Sequence, residues 1–162
     1  MYDNILTCND PVLKPYPIAN KWDGKTWLLD ADWHIIFRNK RIQLELWIKR
    51  GFVTDGGSIP QWYQNVVAPL GIYLMAFLAH DALYATEYLS RAECDRILSE
   101  LIQALGGNWW RRNTIWAAVR LGGGAVWSRH TVETIAAARR LVSGNYQTLD
   151  GKTGFEFGMA SA

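Results

Sequence analysis

A chain of 162 residues, 49% hydrophobic and 20% charged, has the composition of an ordinary folded domain, which excludes disorder for most of its length. Seventeen Lys and Arg against fifteen Asp and Glu leave a net charge of +2, too small to imply a polyanionic partner, so composition points to no nucleic acid. The longest apolar run, 72–79, falls far short of the ~20 residues that span a bilayer, and no transmembrane segment is expected.

Residues 1–10 carry two Asp and neither a basic nor an apolar stretch of the kind a secretory signal needs, so the chain is expected to be made for the cytoplasm or to leave it by lysis or inside an assembly. Cys8 and Cys94 have no metal-type spacing and are expected to be reduced and structural. The nine Trp exceed what a core of this size needs. Some should lie at a surface that meets lipid, glycan or another protein.

Pro11, Pro15 and Pro17 make residues 1–21 an extended arm. Residues 27–37 and 42–54 are rich in Trp, Ile, Leu, Val and Phe, alternate in Gln43-Leu44-Glu45-Leu46, and are separated by the polar break 38–41. They predict an antiparallel β-hairpin or small sheet within a β region, 22–55. After Asp55-Gly56-Gly57 the pattern turns helical. Ser58 with Gln61 has the spacing of a capping box and opens a short helix near Trp62.

A longer helix is expected from Gly71 to Thr86 and another from Ser90, where Ser90-Arg91-Ala92-Glu93 is a second capping box, to Gly106-Gly107. A third should run from Asn108 to Leu121 and stop at Gly122-Gly123-Gly124, and a fourth from Thr131 to Val142. The glycines beyond it suggest a loose tail, 143–162. The fold expected is α+β: one domain over 1–162, with a small antiparallel sheet followed by a helical region, 58–142, that contains an antiparallel helix pair.

Chemistry concentrates in one segment, His80-Asp81-Ala82-Leu83-Tyr84 followed by Cys94-Asp95-Arg96. His80 and Tyr84 are four apart and share a helix face, with Asp81 turned by about 100°. The short connection 87–90 makes the two helices antiparallel neighbours and brings Asp95 level with His80. Asp95 adjoins the apolar stripe of Leu98 and Ile102, so its carboxylate should face inward and need a partner, which His80 and Tyr84 supply. Such a pair fixes the imidazole tautomer and leaves one ring nitrogen as a base, with Asp81 beside it to hold a hard cation. The same residues also suit a buried structural network without a reaction. His34, His80 and His130 lack zinc-ligand spacing, and no Ser has a nucleophile-elbow context. Trp109-Trp110-Arg111-Arg112 is an aromatic-basic cluster of a kind found at anionic membrane surfaces, and equally a helix start packing on a neighbour.

The segment His80-Asp81-Ala82-Leu83-Tyr84 with Cys94-Asp95-Arg96 resembles the His-Asp-x-x-Tyr and Asp-Arg helices of the secreted phospholipase A2 superfamily, and Ala79-His80-Asp81 with Tyr84-Ala85 is similar to the lipase segment of parvovirus capsid proteins. The resemblance implies a metal-assisted lipid or other ester hydrolase: His80 as base, Tyr84 and Asp95 orienting it, and Ca²⁺ held by Asp81. The superfamily's disulfides are missing and its glycine-rich calcium loop does not match. The turn with Asp55, Gly56 and Gly57 would stand in for that loop as metal ligands.

A longer resemblance is to an uncharacterised family of small tailed-phage and prophage proteins. It rests on four motifs in order: Phe52 to Pro60, Gly71 to Tyr73, His80 to Tyr84 and Ser90 to Asp95, with Gly57 where that turn usually has Ala. It implies a phage protein made in the host cytoplasm, with association with the virion and phage structural proteins as partners among the expectations. The alternative to an enzyme is a non-catalytic virion, tail or lysis-associated protein.

Overall fold

The computed structural model describes residues 5–16, 27–54, 73–150 and 153–158. In chain order these form β1 (Ile5–Cys8), β2 (Leu13–Pro15), β3 (Trp27–Leu29), β4 (Trp33–Arg38), β5 (Ile42–Ile48), β6 (Val53–Thr54), α1 (Leu74–Thr86), α2 (Arg91–Ala104), α3 (Trp109–Trp127), α4 (Val132–Arg139), β7 (Val142–Thr148) and β8 (Gly154–Phe157). The class is α+β. The turn Asp55-Gly56-Gly57, the short helix near Trp62, Pro17 and the expected helix start at Gly71 lie outside the described residues.

Two antiparallel sheets result, one ordered β1-β4-β5-β7-β8 and the other β2-β3-β6. In β4 and β5, Trp33, Ile35, Phe37, Ile42, Leu44, Leu46 and Ile48 are buried, while the residues between them are half-buried or exposed. Period-two alternation thus places one sheet face in the core and leaves the other facing water. The inner face joins buried residues of α1 and α2 in one hydrophobic core.

The polar break 38–41 is the β4–β5 turn. The Asn39 side-chain oxygen accepts from the backbone N–H of Arg41 and Ile42. Glu100 of α2, itself buried, accepts from Asn39 and Arg41 at 2.8 and 2.9 Å, which docks the turn on the helix.

Three expectations are corrected. The expected loose tail, 143–162, is ordered where described: β7 pairs with β5 from Ile42↔Thr148 to Ile48↔Val142 and lies inside the larger sheet. Its Gly144 reads as a breaker but answers to close approach, since a Cβ there would lie 2.1 Å from the Glu45 carbonyl oxygen. The arm 1–21 is not among them: where described it is extended and supplies the edge strands β1 and β2, and an edge tolerates the proline that ends β2. The third helix does not stop at Leu121 but continues through Gly122-Gly123-Gly124 to Trp127, while α4 ends at Arg139, three residues early.

Among the described residues no helix is long and apolar enough to cross a membrane.

Candidate active site

The central helix α1 buries much of its circumference, with Ala76, Ala79 and Ala82 fully enclosed. Small residues let its backbone lie close to its neighbours. At its C-terminus Glu87 is left-handed, with φ 47°, and Arg139 donates to the Thr86 and Glu87 carbonyls at 2.8 and 3.3 Å. A cation on those unpaired carbonyls favours the helix end. The Glu87 carboxylate bonds His130 at 2.8 Å, which fixes the reversal into α2. Ser90 then caps α2 in a full capping box with Glu93, as its spacing predicts, and Gly106 at φ +85° follows the end of that helix.

This antiparallel pair brings together the residues expected to meet. His80 Nε2 lies 3.1 Å from Asp95 Oδ1, and the Tyr84 hydroxyl donates to the same oxygen at 3.0 Å. Asp95 is fully buried, His80 and Tyr84 nearly so. With Asp95 accepting, Nε2 carries the hydrogen and Nδ1 is left as the basic nitrogen. Nδ1 lies 3.8 Å from Asp81 Oδ1, beyond hydrogen-bond range but close enough to act through charge. The other Asp81 oxygen accepts from the hydroxyl of Thr54, the last residue of β6.

Two arginines complete the cluster. Arg120 of α3 donates to Asp95 Oδ2 at 3.1 Å. Arg91 donates from Nε to the Tyr84 hydroxyl at 3.0 Å and from Nη2 to the Arg120 carbonyl. Arg91 was within reach of sequence reasoning, because it stands four residues before Asp95 on one helix face. Arg120 and Thr54 carried no comparable signal. The glycines of α3 make this approach possible, since a Cβ on Gly123 would lie 2.6 Å from the Tyr84 hydroxyl and one on Gly124 3.1 Å from Arg91.

The electrostatics follow from burial and pairing. Burial opposes the His80 imidazolium, but the carboxylates of Asp81 and Asp95 outweigh it and raise the pKa above its ordinary value. Burial would raise Asp95, yet hydrogen bonds from His80, Arg120 and Tyr84 hold it below the usual carboxylate range. The Tyr84 phenol is pushed up to about 12, by burial first and by Asp95, with Arg91 opposing. Burial also pushes the Cys94 thiol well up, so it is a poor nucleophile at neutral pH.

Of the four proposed metal ligands, Asp55, Gly56 and Gly57 lie outside the described residues, and Asp81 lies beside His80. Among the described residues no three His, Cys, Asp or Glu side chains gather around one metal-sized space. His34 and His130 pair elsewhere, with Glu45 and Glu87.

The chain matches DUF1353, a protein family of unknown function, over residues 27–119. It belongs to that family. The DUF1353 match takes in Thr54, His80, Asp81, Tyr84, Arg91 and Asp95 and ends one residue before Arg120, so all but one of the clustered side chains fall within it. No curated protein and no solved structure matches this DUF1353 chain.

Proposed function

We propose that this DUF1353 chain is a phage-encoded, phospholipase A2-like hydrolase of lipid or other esters, with His80 as general base and Tyr84 and Asp95 holding its ring. The observation that carries the reading is the two-sided environment of His80, with Nε2 tied to a buried carboxylate and Nδ1 turned away from it. Neutral Nδ1 would take a proton from water as the water oxygen bonds to the ester carbonyl carbon. The carbon–alkoxy bond then breaks, and the proton passes from His80 to the departing alcohol. Tyr84 and Arg120 keep Asp95 ionised and in place, so the ring keeps one tautomer through the cycle. Asp81 would contribute to a Ca²⁺ site together with the turn at Asp55, Gly56 and Gly57. When bound, the ion would polarise the ester carbonyl.

Hydrolysis of a fluorogenic phospholipid and of a simple aryl ester is the direct test. His80→Gln should lose turnover by at least ~10² while stability changes by no more than ~1–2 kcal/mol. Ca²⁺ should raise the melting temperature, because a ligand that binds only the folded chain must stabilise it. No hydrolysis of either ester by the wild type, with no shift by Ca²⁺, defeats the proposal.

A second reading has its own support: the same carboxylate joins α1, α2 and α3, as expected of a buried network in a non-catalytic virion or lysis-associated protein. In that case His80→Gln loses stability by well over ~2 kcal/mol and there is no turnover to lose.

A further inference from the structure

The smaller sheet meets the candidate site through Thr54, and its register shows what stands beside that contact. Pro15 pairs with Trp27 and Trp27 pairs with Thr54, so the three form one row across β2, β3 and β6. Cross-strand partners project to the same side of a sheet, with Cβ atoms about 4.5–5.5 Å apart. The row therefore faces the way Thr54 faces, toward the Asp81 carboxylate.

This is the core side of the sheet. Two positions further along β3 and two positions back along β2, Leu29 is fully buried and Leu13 packs against the core. Yet exposure rises across the row, from 2% at Thr54 to 36% at Trp27, and Pro15 on the edge strand is exposed as well. The inner face thus opens to solvent beside Asp81, where it leaves an indole partly uncovered. No side chain of the row is charged, and Lys14, the cation of β2, alternates to the other face and pairs with Asp30.

We propose that Trp27 and Pro15 form a wall for the acyl chain of an ester whose carbonyl sits by His80, and that this wall selects chains of medium length. The inference rests on the reading of His80 as the base of a hydrolase. A charged group would find no counter-ion along the row, whereas an apolar chain covers the indole and the proline ring and itself leaves water. The row spans two strand spacings, about 10 Å from Thr54 to Pro15. A longer chain runs past the edge strand and gains nothing more from these side chains.

The test compares the para-nitrophenyl esters of acetate, octanoate and dodecanoate. In the wild type kcat/KM should rise by about tenfold or more from acetate to octanoate, and by no more than about twofold from octanoate to dodecanoate. Trp27→Ala should cut the octanoate-to-acetate ratio by about fivefold or more, whereas a merely structural loss would lower both esters alike. Pro15→Glu, at an exposed edge position, should lower the same ratio by about threefold or more. If the wild type hydrolyses none of the esters, the hydrolase reading fails, and calorimetry with octanamide, a neutral analogue of the ester, then judges the wall by itself. Octanamide bound more tightly by the wild type than by Trp27→Ala sustains it. An unchanged ratio in both variants, or octanamide that binds wild type and Trp27→Ala equally or not at all, overturns the proposal.

Discussion

Asp95 receives His80 and Tyr84 from one helix and Arg120 from another, and its burial makes these partners unequal in importance. Asp95→Ala should cost about 3 kcal/mol, because His80 and the Tyr84 hydroxyl would lose a buried acceptor. Arg120 keeps part of its side chain in water, so Arg120→Ala should cost less, about 1 kcal/mol. Urea unfolding of the two variants checks the order, and a larger loss from Arg120→Ala would contradict it. The pH dependence has a definite sign. His80 binds its proton more tightly in the folded chain than in the unfolded one, so its contribution to stability is complete below ~6.5 and fades as pH rises through the raised folded value. Asp95 behaves oppositely at the acid end: its contribution is present above ~3.9 and is lost as pH falls through its lowered folded value. In calcium-free buffer the melting-temperature gap between wild type and His80→Gln should therefore shrink as pH rises through and above neutrality. A gap that widens would reverse the assignment. If His80 is a base, turnover should rise over the same interval.

The glycines of α3 separate two roles that look alike in sequence. A Cβ on Gly122 meets nothing within 4 Å, so Gly122→Ala should stabilise the helix by about 0.5–1 kcal/mol. A Cβ on Gly123 runs into the Tyr84 hydroxyl at 2.6 Å, so Gly123→Ala should lower the melting temperature and displace Tyr84 from Asp95. Thermal melts of the two variants should move in opposite directions. These glycines also show why the helix end was misread: Gly is a breaker only where nothing compensates, and the approach to Tyr84 and Arg91 is a tertiary matter invisible along the chain. The helix pair was legible because it is local, with the Ser90 cap, a short turn and two positions at the same level. Arg120 was not, because neither spacing nor composition ties it to Asp95. In β7 the alternation was present, with Val142, Gly144, Tyr146 and Thr148 buried, but Gly144 and the polar residues between them masked it.

At the scale of the molecule, the helices are enclosed by one sheet: β5 waits for β7, and Glu45 faces Asn145 across a hundred positions of chain. Ending the chain at Arg140 would remove β7 and β8, leave the inner edge of β5 without a partner, and strip the Tyr146 hydroxyl from Arg96. Such a truncation should not fold, and circular dichroism with a cooperative melt would contradict this expectation. The order of synthesis then matters. While the ribosome is still adding the helices, the β4–β5 hairpin has already emerged with an apolar face and one unpaired edge, and the strand that completes it is made only after the last helix. Closure must therefore wait until all four helices have been made, and until then the nascent chain offers β5 to any other extended segment, which makes it a natural client for chaperones.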